Sequence, residues 1–519
     1  MSDDVFYLTT PIYYVNDVPH LGHAYTTVAA DFTARWRRLE GRAVHFLTGT
    51  DEHGEKLLRT AEARGLDPRD WLDQIVPRWT EVWKALDITN DDFIRTTEPR
   101  HEGPVQQFVQ ALYDRDEIYL GTYEGLYCIG CEAFKLPDEL VDGKCPDHGI
   151  EPETVKEDNY FFRLSKYADR LADLYESDDR FVMPESRRKE VLGKVRQGLD
   201  DLSISRVSFD WGIPIPWDPK HVIYVWIDAL QNYITAVGYG SDPERFARVW
   251  PADVHFVGKD ILWFHSVIWP AMLMALDLPL PRTVFAHGFL QVGGEKMSKT
   301  KLTGISPHDL VATFGSDGYR YYFMREISFG QDGSFSWEGM AARYNSDLAN
   351  DLGNLASRVL SMIERYLGGV IPQPPGEDEL TDADRALMDV QARAFEGMSR
   401  GVDALAPHEA LKAGWELVRR SNAYVEDAAP WQLAKDDAQR RRLEVVLFHA
   451  ADALRMLALM TTAIVPRAAQ ELWSRLGLDA AVAEKTFSDD LRWGLLPAGR
   501  RVTTGAPLFP RVEDANRPA

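Results

Sequence analysis

The chain has 519 residues, 45% hydrophobic and 27% charged, an ordinary globular composition too long for one core and expected to form about two to four domains. No run approaches the roughly 18 apolar residues of a membrane span, the acidic start Met1-Ser2-Asp3-Asp4 lacks the pattern of a signal peptide, and three cysteines leave no disulfide scaffold, so the expected location is the cytoplasm. A net charge of −22 excludes a generally basic surface but not a local basic stripe, because net charge governs solubility and steering rather than one contact surface.

Residues 5–9, Val-Phe-Tyr-Leu-Thr, read as a buried strand, followed by a loop from Thr10 to Pro19 and a helix beginning near His20. Val28, Phe32, Trp36 and Leu39 form that helix's apolar stripe, and Gly41 ends it. Val44–Thr48 is the next strand, and strand–helix–strand opens a parallel α/β sheet whose ligands lie at the carboxyl ends of its strands. Glycines, tyrosines and all three cysteines then cluster between Gly121 and His148, and residues 118–222 read as an insertion. The alternation resumes with a strand at Val254–Val257, a turn at Gly258-Lys259, a helix over Ile261–Ala275 and a strand at Thr283–Ala286. From about residue 345 the chain reads as helical, with Leu348, Leu352, Leu355, Val359 and Met362 on one stripe and a break at Ile371-Pro-Gln-Pro-Pro-Gly376. Apolar-periodic segments around 403–420, 441–465 and 467–476 indicate a bundle, and the tail beyond Thr503 reads as poorly ordered.

Two distant segments look like halves of one nucleotide site. His20-Leu21-Gly22-His23 puts two imidazoles at a helix start, where unpaired N–H groups and the helix dipole attract phosphate, and Gly22 leaves room for a base or ribose against the backbone. Lys296-Met297-Ser298-Lys299-Thr300 puts lysine point charges on a loop led by Gly293-Gly294, before a helix that Ser306 would cap and Pro307 begin. Alone, the first reads equally as surface histidines at a cap, and the second reads more readily as a solvated basic loop. Cys128-Ile-Gly-Cys131 and Cys145-Pro-Asp-His148 have the spacing of a closed, structural zinc knuckle, with buried thiols and a surface histidine as the plain alternative.

In this order the pair resembles the signature of class I aminoacyl-tRNA synthetases, with Thr300 where the family more commonly has serine. Around it, Pro11-Ile12-Tyr13-Tyr14-Val15-Asn16, Thr50-Asp51-Glu52-His53-Gly54, Tyr224-Val225-Trp226-Ile227-Asp228-Ala229, Gly258-Lys259-Asp260-Ile261, Phe264-His265-Ser266, Trp269-Pro270-Ala271, Asn354-Leu355-Ala356-Ser357-Arg358 and Ala429-Pro430-Trp431 resemble the methionyl-tRNA synthetase family, collinearly over nearly the whole chain. The resemblance implies an α/β fold: a doubly wound parallel Rossmann-type catalytic domain over 1–117 and 223–290, interrupted by a zinc-knuckle-like connective domain at 118–222. A lysine-loop and stem-contact region at 291–345 and an all-α anticodon-binding bundle at 346–519 follow.

The resemblance also implies roles. Ile12, Tyr14, Trp226, Tyr233, His265 and Trp269 would enclose methionine, whose polarisable thioether favours aromatic contacts. Trp226 and Tyr233 are seven apart on one expected helix and His265 and Trp269 four apart on another, and a hydroxyl from Tyr233 or the imidazole of His265 would address the sulfur. Asp51 would hold the α-ammonium, Asp260 face the ribose or order the site, and His287-Gly288 flank the adenine. His20, His23, Lys296 and Lys299 would stabilise charge on the phosphates, with Gly22, Met297, Ser298 and Thr300 also in the ATP site. Asn354 and Arg358 would read anticodon bases and Trp431, stiffened by Pro430, would stack on one. Cys128, Cys131, Cys145 and His148 would bind structural Zn2+, which some family members carry and others lack. The basic run Arg187-Arg188-Lys189, with Lys194 and Arg196, reads equally as a tRNA backbone contact or a solvated helix face.

The implied reaction is ligation of L-methionine to initiator and elongator tRNA(Met) through a methionyl-adenylate, using ATP with Mg2+ and releasing AMP and pyrophosphate. A chain ending soon after the bundle implies a monomer. Two alternatives stay open. One is a synthetase for leucine, isoleucine or valine, disfavoured because the insertion is small for an editing domain. The other is a nucleotide- or RNA-binding protein that keeps the fold without ligation.

Overall fold

A computed structural model describes residues 5–130, 133–135, 139–146, 148–292, 295–296 and 306–513, with backbone alone at 123–124, 133–135, 155–157, 292 and 295–296. The chain divides into two compact units. The first comprises residues through Pro19, Val44–Glu81 and Asn90–His287, and the second His20–Ala43, Val82–Thr89 and the chain from Gly288 onward.

The first unit is built on a six-stranded sheet. Its strands are β1 (Phe6–Tyr14), β2 (Val44–Asp51), β3 (Asp92–Arg95), β4 (Val182–Met183), β5 (Val254–Gly258) and β6 (Val284–His287). The order is β3-β2-β1-β5-β6-β4 and every pairing is parallel. The chain therefore winds outward in both directions from β1, and the crevice between β1 and β5 is the switch point where such sheets bind ligands. Tyr7, Leu8, Phe46, Leu47, Val257 and Val284 are fully buried, as expected of strands covered on both faces.

The loop expected from Thr10 is instead a continuation of β1 to Tyr14. Pro11 has no N–H to give the ladder, and the pairing with β2 shifts between Thr9 and Ile12 before resuming as Ile12–Gly49, Tyr13–Thr50 and Tyr14–Asp51. β2 likewise reaches Asp51. Within 118–222, Ala133–Lys135, Ile118–Cys128, Glu153–Phe162 and Leu202–Ser203 form an antiparallel four-stranded sheet, yet β4 from this segment pairs with β6 at the edge of the main sheet.

The expected regular helix over Ile261–Ala275 is a 3-10 turn at Lys259–Ile261, a π-helical turn at Phe264–Ile268 and an α-helix at Trp269–Ala275. Pro270 cannot donate to the Ser266 carbonyl, so the ladder loosens there. The Trp269 N–H turns to the Phe264 carbonyl, and the Tyr175 hydroxyl donates to Ser266 O.

In the second unit the helix Leu21–Leu39 buries Val28, Phe32, Trp36 and Leu39 and ends before Gly41, which has φ +81°. Ser306 caps the helix Pro307–Glu326 through a reciprocal bond pair with Asp309. Helices follow at Asn354–Leu367, Asp382–Asp403, Pro407–Ala428, Arg440–Thr461 and Pro466–Arg475, after a π-helical segment at Tyr344–Gly353. Leu348, Leu352, Leu355 and Val359 are buried, and Ile363 continues the stripe while Met362 is half-buried. The tail is better anchored than its composition implies: Phe509 and Val512 are buried, and Val512 exchanges two hydrogen bonds with the Asn345 side chain. Residues 514–519 of that tail lie outside the described residues. Among the described residues, no helix is long and apolar enough to cross a membrane.

Candidate active site

In the first unit, Asp51 closes β2 beside Tyr14 of β1 and is 8% exposed. Ile12 and Tyr14 are half-buried and alternate with buried Tyr13 and Val15, so the pleat sets both on one face. The Tyr14 hydroxyl accepts from the Leu57 N–H at 3.0 Å.

The structure brings Trp226, Tyr233, His265 and Trp269 together, by a route different from the expected one. The helix breaks at Gln231, where i to i−3 bonding separates Val225–Leu230 from Asn232–Thr235. Trp226 then stacks on Phe264 with ring centroids 3.9 Å apart and meets His265 edge-on at 6.5 Å. Tyr233 lies 6.3 Å from fully buried Trp269, and its hydroxyl is 2.7 Å from His265 Nε2. Phe264, which was given no role in the sequence, packs into this cluster and directly precedes His265 in the same matched segment.

The hydrogen bonds of His265 determine its tautomer. Nδ1 lies 3.0 Å from the Ile261 carbonyl, an acceptor only, so Nδ1 carries the proton. Burial pushes the His265 pKa down to about 4, against the upward pull of that carbonyl, so the ring is neutral at pH 7. Nε2 is then an acceptor and the Tyr233 hydroxyl must be its donor. Both donors expected to address a sulfur are therefore committed to each other and to the backbone. This cluster offers polarisable ring surface, the lone pairs of Tyr233 and the buried Trp269 indole N–H.

β5 and β6 end side by side, where Gly258 pairs with His287 and Asp260 follows two residues later. A Cβ on Gly258 would lie 2.4 Å from Asp260 Oδ1, so a larger residue there would displace this carboxylate. In the second unit, a Cβ on Gly288 would lie 2.3 Å from the Gln331 carbonyl, and glycine is required there too.

His20 and His23 form a reciprocal cap on the helix Leu21–Leu39. The Gly22 N–H donates to His20 Nδ1 at 3.1 Å, the His20 N–H donates to His23 Nδ1 at 3.2 Å, and the rings stack 3.6 Å apart. Because each Nδ1 accepts, each neutral imidazole carries its proton on Nε2. A Cβ on Gly22 would lie 2.9 Å from His20 Cε1. The His20 ring thus packs where a side chain at position 22 would sit. Lys296 pairs antiparallel with Gln291 in a two-residue strand, its side chain undescribed; Gly293, Gly294, Met297, Ser298, Lys299, Thr300 and Lys301 lie outside the described residues.

Arg358 and Trp431 also converge: the guanidinium is 5.8 Å from the indole centroid and pairs with Glu426 at 2.9 Å. Ala429, at φ +43°, ends one helix so that buried Pro430 can begin the next. Trp431 is half-buried, and Asn354, at the start of its helix, is exposed.

Cys128 Sγ, Cys145 Sγ and a His148 nitrogen lie within 4.8 Å of one another, with both thiols buried. A Cβ on Gly130 would lie 2.5 Å from the His148 ring, so the turn closes only with glycine. These three groups suit one tetrahedral zinc, for which metal–ligand distances are about 2.0–2.3 Å. Cys131 lies outside the described residues. The basic run is matched by acids: Arg187 and Lys194 pair with Glu190, Lys189 with Glu185 and Arg196 with Glu176. That pattern favours the solvated helix face.

The model for "tRNA synthetases class I (M)" matches residues 6–151 and 147–360, and that for "Anticodon binding domain of methionyl tRNA ligase" matches 374–519. A methionine–tRNA ligase of Streptomyces coelicolor is 54% identical over 98% of this chain and 97% of its own. One from Caldanaerobacter subterraneus subsp. tengcongensis is 49% identical over 98% of this chain and 79% of its own. The chain belongs to the methionyl-tRNA synthetase family. Among solved structures, Mycobacterium tuberculosis methionyl-tRNA synthetase in complex with methionyl-adenylate superposes with a TM-score of 0.93 at 41% identity, over 98% of this chain and all of that one. Membership in the methionyl-tRNA synthetase family sets aside the leucine, isoleucine and valine alternatives.

Proposed function

We propose that the protein charges tRNA(Met), initiator and elongator, with L-methionine in the cytoplasm, for translation initiation and elongation. In the first step the methionine carboxylate attacks the α-phosphate of ATP, supplied with Mg2+, and pyrophosphate leaves. In the second a hydroxyl of the terminal tRNA ribose attacks the adenylate carbonyl and AMP leaves. The observation that carries this reading is the aromatic cluster of Trp226, Phe264, Tyr233, His265 and Trp269 in a chain of this family. The Tyr233 hydroxyl and the His265 Nδ1–H are internally committed and the rest is chiefly ring surface, which suits a soft thioether.

Ile12 and Tyr14 complete that pocket and Asp51 takes the α-ammonium. Asp260, His287 and Gly288 hold the nucleoside. His20 and His23 offer Nε2–H donors to the phosphates beside Gly22, and Lys296 and Lys299, with Met297, Ser298 and Thr300, neutralise the charge that develops. Residues 1–117 and 223–290 would form the catalytic domain, 118–222 the acceptor-end insertion, 291–345 the stem-contact region and 346–519 the anticodon domain. Cys128, Cys131, Cys145 and His148 would hold zinc, which would brace the insertion.

Pyrophosphate exchange with a panel of amino acids tests the reading. Methionine should drive exchange, and Lys299→Ala should slow it far more than it weakens methionine binding. Exchange driven by leucine or isoleucine and not by methionine overturns the specificity.

A further inference from the structure

The proposed roles leave unused a buried titratable cluster in the first unit. Asp228 is fully buried and accepts from two imidazoles, His53 Nδ1 and His101 Nε2, each at 2.7 Å. His101 is also fully buried, and its Nδ1 is satisfied by the Thr235 hydroxyl at 2.8 Å. His53 follows Asp51 by two residues and Asp228 follows Trp226 by two. The cluster therefore ties the segment that ends β2 to the helix that carries Trp226.

The surroundings restrict His53 further. Its ring meets Trp211 edge-on at 5.7 Å, the Trp211 indole donates to the Glu52 carbonyl at 2.7 Å, and the Gly54 N–H donates to the Trp211 carbonyl at 3.2 Å. Three acids face it: Asp228, Glu102 at 3.9 Å from Nε2, and buried Glu52, which is itself held by Arg95, Thr50 and Thr97. Burial would strip the proton from His53, but the Asp228 charge and hydrogen bond, with Glu102 and Glu52 behind them, hold its pKa above the ordinary histidine value. Burial likewise opposes the Asp228 charge, and the two histidines overcome it and keep that carboxyl below its ordinary value. The protonated His53 and the Asp228 carboxylate thus support each other in a site shut away from water. Such a pair is rigid while intact and costly once one charge is left alone.

We propose that the His53–Asp228 pair, backed by His101, positions Asp51 and Trp226 for the amino acid, so that methionine binding depends on His53 keeping its proton. These are positioning residues, because none of the three is proposed to touch the substrate. The inference rests on the assignment of Asp51 and Trp226 to the methionine site. The sign follows from the raised His53 pKa: the pair is complete at low pH and is lost as pH rises through that pKa.

The test measures KM for methionine and for ATP, and kcat, in pyrophosphate exchange from about pH 6 to 8.5, for the wild type, Asp228→Asn and the double variant His53→Gln/Asp228→Asn. The wild-type KM for methionine should rise several-fold across this range, by at most about tenfold per pH unit because one proton is lost, while the KM for ATP changes less than about threefold. Asp228→Asn should raise the methionine KM about tenfold or more already at low pH and leave only the ligand's own titration. The double variant, with neither partner of the His53–Asp228 pair left charged, should recover most of the affinity without recovering the pH profile. Direct methionine binding to the wild type over the same range decides the matter even if a variant does not fold. A wild-type methionine affinity that ignores pH, or an Asp228→Asn variant that loses both substrates and kcat alike, overturns the proposal. If another amino acid drove exchange, the specificity reading would fall, and the same profile taken with that amino acid would still decide this one.

Discussion

Arg320 and Asp31 form an ion pair of 2.7 Å between two side chains with no solvent exposure. Arg320 also donates to the carbonyls of Ile464, Ala463 and Leu86, and Asp31 also accepts from Arg35 and from the backbone and hydroxyl of Thr89. The pair thus joins the helix capped by His20 to the helix after the lysine segment and to the turn before Pro466. Arg320→Met would leave Asp31 with Arg35 as its single cation and three carbonyls without their donor. The expected loss is about 3–5 kcal/mol, read by urea unfolding. Burial alone would raise the Asp31 pKa, but Arg35 and Arg320 bring it down to about 2. That contribution is present above the ordinary carboxylate range and disappears as pH falls toward 2, and the variant should show a weaker acid dependence.

Asp317 has the opposite sign. Burial raises its pKa to about 6, although the N–H groups of Ala468 and Arg467 at a helix start pull it down. The folded state therefore holds this proton more tightly than the unfolded state. Stability from this group is present below about pH 4 and is lost as pH rises through about 6, by up to about 3 kcal/mol. Subtracting Asp317→Asn from wild-type unfolding energies should isolate a decline between those values. A difference that is flat across this range contradicts the assignment.

The features legible in the sequence were those carried by local signals. Val28, Phe32, Trp36 and Leu39 marked a buried helix face, and Ser306-Pro307 marked a helix start, because caps and stripes are set by neighbours a few residues away. Pro11 misled because a register shift lets a strand pass a residue without an N–H. The π turn at His265 depends on what Pro270 fails to donate and on Tyr175, distant in sequence, which takes up the slack. The His53–Asp228–His101 cluster has no local signature at all, since its members come from three separate segments and only the fold brings them together.

The cysteine cluster predicts a stability effect with a specific route to the site. Lys56 donates to the Gly130 carbonyl, in the turn after Cys128, at 3.0 Å and lies 5.7 Å over the Tyr14 ring. Native mass spectrometry should find one zinc per chain, and none would sink the metal assignment. Chelation should lower the thermal midpoint more than it slows adenylate formation, because the ligands brace a turn and touch no reacting atom. Cys145→Ser should reproduce the effect of the chelator. Lys56→Met should leave zinc bound while raising the KM for methionine by a few-fold, through Tyr14.

Trp431 and Arg358 should separate tRNA recognition from adenylation. The indole is half-buried, fixed on one side by buried Pro430, with the Arg358 guanidinium 5.8 Å from its centroid and Glu426 holding that guanidinium at 2.9 Å. A flat ring held this way, still open to solvent, is suited to stack on an unpaired base, an interaction of about 1–3 kcal/mol. Trp431→Ala should therefore raise the KM for tRNA roughly five- to 150-fold while leaving methionine-dependent pyrophosphate exchange unchanged. Arg358→Ala should act in the same direction, since it loosens the indole and removes a donor for base edges. Glu426→Gln should be milder, because it keeps an acceptor for Arg358 and removes only a charge that would repel phosphate. If Trp431→Ala instead lowers the unfolding midpoint by several degrees and leaves the tRNA KM alone, the indole is a packing residue and the anticodon assignment fails at this position.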